Sequence, residues 1–147
     1  MLLHIPHSQK YIPDEYLQYF HLSDSDLDVE LLKMTDHFTD QLFECSQSNC
    51  SKIIFPVSRL LVDPERFVMD ADEPMSTRGM GCIYEKTHDQ NPLKDCCAIR
   101  QVLIDRYYET HHARFAALVD KGLEKTDRAL IIDCHSFPKY PLPYEMD

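Results

Sequence analysis

Four apolar residues, Ala129 to Ile132, run straight into Asp133-Cys134-His135-Ser136, and Pro138 follows. A short apolar run with β-branched residues at its end reads as a buried strand, here one that delivers polar side chains at its carboxyl end. In open α/β sheets that edge is where ligands bind. The chain repeats the arrangement near its start, where Met1-Leu2-Leu3-His4-Ile5 leads into Pro6-His7-Ser8. Two short strands each end in a His-Ser pair, and the site is expected where they meet.

Between these strands the pattern alternates. Residues 6–13 read as a loop with a proline at each end, and a short helix starts at Asp14. Ser23 with Asp26 three residues on is a helix start, reinforced by the negative charge of Asp28 and Glu30 in the first turns. Leu27, Leu31, Met34, Phe38, Leu42 and Cys45 recur at helical spacing, which predicts a helix to about residue 45. Residues 46–51 are turn-like, and Lys52 to Val57 is the next strand, with Pro56 at its end. Residues 68–92 read as a long irregular loop, of the kind more often functional than idle. From Pro92 to Gly122 the pattern predicts a long helix, ended by Gly122 or by Lys125-Thr126-Asp127 and followed by the 129–134 strand and a proline-rich tail. This order suggests one α/β domain over residues 1–147, a mostly parallel sheet with helices packed on it.

The chain's 147 residues suffice for one compact domain. A net charge of −10, with no Lys/Arg cluster, argues against a nucleic-acid partner. No apolar run approaches bilayer length, and His4, Pro6 and His7 break any signal-peptide pattern. The expectation is a cytoplasmic protein with no membrane partner, whose six cysteines are reduced thiols serving as small buried hydrophobes.

The chemistry concentrates on few residues. Neutral imidazole is the commonest metal ligand, and a catalytic zinc takes three protein ligands and leaves one position for water. His7 and His135 each follow a strand, and Asp36 is a candidate for the acidic third ligand; each taken alone reads better as a loop polar residue or a cap, and it is the two His-Ser strand ends together that bring the metal reading level with it. Cys134 and His135 point to opposite faces of a strand, which disfavours a cysteine nucleophile. Asp133 shares a strand face with His135 and either orients a ligand from behind or only ends the strand. Arg59, directly after a strand, suits carboxylate binding; Arg66 fits that role or a salt-bridge cluster with Asp63 and Glu65. His111 reads as a core histidine and Tyr84 as a packing residue.

Five motifs then occur in order: His4-Ile5-Pro6-His7-Ser8 with Ile12-Pro13; Thr35-Asp36-His37-Phe38-Thr39-Asp40; Ser58-Arg59-Leu60-Leu61-Val62-Asp63-Pro64-Glu65-Arg66-Phe67; Gly79-Met80-Gly81 with Tyr84; and Asp133-Cys134-His135-Ser136-Phe137-Pro138. Together they resemble the N-formylglutamate amidohydrolase family along nearly the whole chain. The resemblance implies a three-layer sandwich with a mixed, mostly parallel sheet, similar to zinc carboxypeptidases, phosphorylase/hydrolase-like folds and aspartoacylases. It implies hydrolysis of N-formyl-L-glutamate to formate and glutamate, late in histidine breakdown, with one zinc ion on His7, Asp36 and His135. Arg59, Arg66 and Ser136 would meet the small-molecule substrate. Two departures stand out. The family has glycine after the first His-Ser, where this chain has Gln9, and glycine permits backbone shapes that glutamine resists. The family chain also normally continues further, and related zinc hydrolases take their general-base glutamate from that later part, which Glu145 does not replace. The resemblance therefore carries two alternatives: a relative that keeps metal or ligand binding without catalysis, and a zinc hydrolase of another N-acyl amino acid.

Overall fold

The computed structural model describes residues 1–45 and 50–142. Most of the expected 46–51 turn and the end of the tail, with Glu145, lie outside the described residues. At the centre is β1 (Leu2–Ile5), flanked by β2 (Ser51–Ile54) and β3 (Ile131–Asp133), both parallel to it. The register pairs His4 with Ile53 on one side and with Asp133 on the other. Because side chains alternate along a strand, β1 serves two faces. Leu3 and Ile5 bury with Cys134 against Phe43 and Ile54, while the His4 ring lies on the other face against His111 and Phe115.

With β1 between β2 and β3, the loops after β1 and β3 leave neighbouring strands at the carboxyl end of the sheet, the edge where open α/β sheets bind ligands. His7 and His135 follow those two strands. β3 differs from its expected burial. Leu130, Ile131 and Ile132 are exposed, at 59%, 40% and 36%, because β3 is an edge strand whose described neighbours cover only its β1 side. Cys134 alone is fully buried there.

The helices are shorter than the apolar periodicity suggests. After α1 (Asp14–Leu17), α2 (Asp24–Met34) starts as expected, the Ser23 hydroxyl accepting from the Asp26 N–H at 3.2 Å. It ends at Met34 rather than near residue 45. Thr35 turns extended, and its hydroxyl donates to the Leu31 carbonyl at 2.6 Å, a local bond that competes with continuation of the helix. Phe38 takes a left-handed φ of 66° before α3 (Thr39–Leu42) begins. The break matters because it releases Asp36 from the helix and turns it toward β1, where its N–H donates to the His7 carbonyl at 3.0 Å.

The expected long helix from Pro92 starts later. Pro92 pairs with Lys86 in an antiparallel bridge, and α4 begins at Arg100 (Arg100–Leu103), runs through a π-helical stretch (Ile104–Glu109) and continues as α5 (Thr110–Thr126). It ends at Asp127, with a left-handed φ of 57°, the later of the two expected stops.

Residues 58–67 read as too polar for core throughout and too apolar for a free loop, and their apolar part holds the core's centre: Leu60, Leu61 and Val62 are fully buried together with Phe55, Met80, Tyr84, Leu93 and Leu103. Residues 68–92 are irregular as expected, with one 3₁₀ helix (Pro74–Arg78) closed by Gly79 at φ 69°. Lys94 is buried among these loops, and its ammonium donates to the carbonyls of Leu60 and Tyr84. Cys45 and Cys50 form a disulfide, against the expectation of reduced thiols; Cys82, Cys96, Cys97 and Cys134 are free. Among the described residues no helix is long and apolar enough to cross a membrane.

Truncating Leu61 tests the core. Leu61→Ala is expected to destabilise the chain by about 2–5 kcal/mol, read from the urea midpoint; a change within experimental error would show that residues 60–62 are not the packing centre.

Candidate metal centre

His7, Asp36 and His135 converge at the carboxyl end of the sheet. The rings of His7 and His135 lie 5.4 Å apart, centroid to centroid. Asp36 stands between them, its Oδ2 at 2.8 Å from His135 Nδ1 and 3.8 Å from His7 Nδ1. These groups line a cavity of about 390 Å³ together with Arg59, Glu65 and Arg66.

A second carboxylate competes for the place beside the two rings. Glu65 Oε1 lies 3.3 Å from His135 Nε2 and Oε2 lies 3.5 Å from His7 Nε2. The donor atoms of His7, Glu65 and His135 fall within 4.8 Å of one another, close enough to share an ion. His7 distinguishes the two arrangements. Its Nε2 is held at 2.9 Å by Asp63 Oδ1, so the proton sits there and donates to the carboxylate. Its Nδ1 is buried without a hydrogen-bond partner. A buried ring nitrogen with no partner is costly, and in the neutral ring a cation on the Asp36 side would satisfy it. The unpartnered Nδ1 favours an ion on the Asp36 side, although the trio whose donor atoms lie within 4.8 Å of one another is that with Glu65 and not that with Asp36. Asp63 stands behind His7 and Glu65 behind His135, as carboxylates commonly back metal-bound imidazoles.

Asp63 is fully buried and satisfied from every side. Its Oδ1 accepts from His7 Nε2 and from the Glu65 N–H at 3.0 Å. Its Oδ2 accepts from Arg59 Nη2 at 2.8 Å, Arg59 Nε at 3.2 Å and the Tyr84 hydroxyl at 2.8 Å. Burial opposes its ionisation, but the charges of Arg59 and His7 hold its pKa well below the usual carboxylate range. Tyr84 thus does more than pack, and burial raises its own pKa.

The sequence matches the family model of N-formylglutamate amidohydrolases over residues 1–147. The chain belongs to that family. No curated protein matches it. Among solved structures, its fold is similar to the crystal structure of N-formylglutamate amidohydrolase from Ralstonia eutropha JMP134, at 20% identity and a TM-score of 0.79. The match covers 93% of this chain and 53% of that one, so the chain spans about half the length of this solved relative.

Within this amidohydrolase fold the other expected site residues fall less uniformly. Arg59 and Arg66 line the cavity, but Arg59 commits two of its donors to Asp63. Arg66 sits 3.7 Å from both Asp63 Oδ2 and Glu73 Oε1, and its buried Nε has no hydrogen-bond partner. Ser136 lines the cavity while its hydroxyl donates to the His37 carbonyl at 3.0 Å, tying the loop after β3 to the Asp36 turn. Asp133 does not reach His135. It accepts from His4 Nδ1 at 2.6 Å, and His4 Nε2 meets His111 Nε2 at 2.9 Å. The strand stops at Asp133, so the alternation that put Asp133 and His135 on one face no longer applies. The carboxylate behind His135 is Glu65, which sequence reasoning left without a role, as it did Asp63. The one available signal was the spacing of Arg59, Asp63 and Arg66, which puts two cations within a turn of one acid.

The imidazoles carry the electrostatic signature of a site built around positive charge. Hydrogen bonds to Asp36 and Glu65 raise the His135 pKa to about 10, against an ordinary 6.5. Burial disfavours the charged form of His7, but the Asp63 charge outweighs it and the pKa rises. Asp36 falls to about 2: burial opposes ionisation, and the hydrogen bond from His135 overcomes it.

Two outcomes follow. In metal-free protein the raised His135 pKa contributes stability that is complete below pH 6.5 and lost as pH rises through 10. Urea midpoints of the chelator-treated chain should fall across that window, and His135→Gln should flatten the fall; a midpoint independent of pH there would contradict the His135–Asp36 contact. Asp63→Ala, which leaves Arg59 and His7 buried without their carboxylate, should cost about 3–5 kcal/mol in the same assay, and a loss under 1 kcal/mol would contradict the role of Asp63.

Proposed function

We propose that this chain binds one zinc ion through His7 Nδ1, Asp36 Oδ2 and His135 Nδ1 and acts in the hydrolysis of N-formyl-L-glutamate to formate and L-glutamate. The observation that carries the reading is the buried, unpartnered Nδ1 of His7, facing Asp36 beside His135. Two imidazoles and one carboxylate with room for a fourth group are the donor set of a catalytic zinc. Such an ion supplies a Lewis acid for the formyl carbonyl and a water of lowered pKa.

The protein's own residues do the rest. Asp63 fixes the His7 tautomer with Nε2 protonated, and Glu65 does the same for His135. Arg66 lines the cavity and its ion pairs with Asp63 and Glu73 are long, at 3.7 Å, which leaves guanidinium donors for a substrate carboxylate, while Arg59 chiefly neutralises Asp63. Ser136 acts by holding the loop after β3 in place. The resemblance further supports a role in histidine breakdown on a sandwich like that of the zinc carboxypeptidases, and the reading takes the activity to be cytoplasmic.

One observation favours a second reading. The acidic groups of the cavity are Asp36 and Glu65, and both are engaged with imidazoles. Neither stands free as the general base, which the resemblance places outside residues 1–147. A chain that binds metal and ligand without turnover is therefore the rival.

Metal analysis paired with a formate assay separates them. The proposal expects one zinc per chain and formate released from N-formyl-L-glutamate, both lost in His7→Ala. Bound zinc without formate supports the rival, and no zinc binding contradicts both.

A further inference from the structure

The arginines leave a charge unanswered. N-formylglutamate carries two carboxylates, and Arg59 is already bound to Asp63 through two donors. A third cation borders the same cavity: Lys33, on the last turn of α2, three residues before Asp36.

Lys33 is held in an unusual way. Its Nζ lies 2.9 Å from His88 Nε2. His88 is buried, and Glu30 grips it twice, Oε2 accepting from Nδ1 at 2.6 Å and Oε1 from the backbone N–H at 2.7 Å. Glu30 is itself 3% exposed and lies three residues before Lys33 on α2, one helical turn away. With the ring proton on Nδ1 toward Glu30, Nε2 presents a lone pair, and the ammonium donates to it. An ammonium has three donors, so two remain. Among the described residues Lys33 makes no ion pair with a carboxylate. The relay Glu30–His88–Lys33 therefore orients the head of this exposed, cavity-bordering lysine through an uncharged acceptor and leaves its charge for something else. A lysine in the last turn of a helix also favours the helix dipole, but that role needs neither the buried histidine nor its carboxylate.

Resting on the reading above, we propose that Lys33 binds the side-chain carboxylate of the substrate and so selects acidic N-formyl amino acids, while Arg66 takes the α-carboxylate. Lys33 is a binding residue, and Glu30 and His88 are positioning residues that act through it.

The test is calorimetric binding of N-formyl-L-glutamate and N-formyl-L-glutamine to the zinc-loaded chain. The two ligands differ only in the group Lys33 would meet. The wild type should prefer the acid by on the order of 10- to 100-fold, the range of one charge-assisted hydrogen bond. Lys33→Met should remove that preference by weakening the acid alone, and Lys33→Arg should restore part of it. His88→Gln should reduce the preference less than Lys33→Met. Equal weakening of both ligands in Lys33→Met would put Lys33 on the α-carboxylate and overturn the proposal, as would an unchanged preference. A wild type that binds neither ligand would overturn the underlying reading and this proposal with it.

Discussion

A single buried carboxylate organises this molecule. Asp63 has no exposure, and an isolated charge there would be prohibitive. It persists because Arg59, His7, Tyr84 and a backbone N–H all donate to it. Those bonds tie together three distant parts of the chain: the loop after β1, the segment after β2 and the irregular stretch around residue 84. They also determine the chemistry of His7. With Nε2 held by Asp63, Nδ1 is left facing Asp36, without a partner and buried. The candidate metal centre is thus a consequence of the core and not an addition to it.

Topology supplies the second constraint. With β1 in the centre and β3 beside it, the loops leaving β1 and β3 emerge next to each other at the carboxyl end of the sheet and frame a crevice. That crevice receives His7 from one loop and His135 from the other. Asp36 reaches it because α2 stops early, and the hydrogen bond from its N–H to the His7 carbonyl fixes its position. Ser136 closes the arrangement by bonding the turn that carries Asp36. Lys33 and Asp36 belong to the same end of α2, so one helix terminus brings both a candidate ligand and a candidate selecting charge to the cavity.

The ends of two apolar runs made His7 and His135 legible in the sequence, because a strand that finishes in polar residues has few other uses. Asp36 was legible mainly as an acid within a motif; the helix break that positions it was hidden by an apolar spacing that continued to Cys45. Asp63 was obscured for another reason. Its neighbours Arg59, Glu65 and Arg66 suggest a local salt-bridge cluster, whereas His7 and Tyr84 stand 56 and 21 residues away. Asp133 misled because strand alternation was carried past the last residue of the strand. The helical pattern from Pro92 failed where tertiary packing intervened: Leu93 is fully buried from an extended segment, not from a helix. The exposed β3 departed from its apolar sequence because apolarity shows that a strand wants cover, not which neighbour provides it.

A crystal structure of the zinc-loaded chain tests the account most directly. The ion should lie about 2.0–2.2 Å from His7 Nδ1, Asp36 Oδ2 and His135 Nδ1, with Asp63 still bound to His7 Nε2. An ion on the Nε2 side of both rings with Glu65 as its acidic ligand, or His7 turned so that Asp63 no longer holds it, would contradict the account.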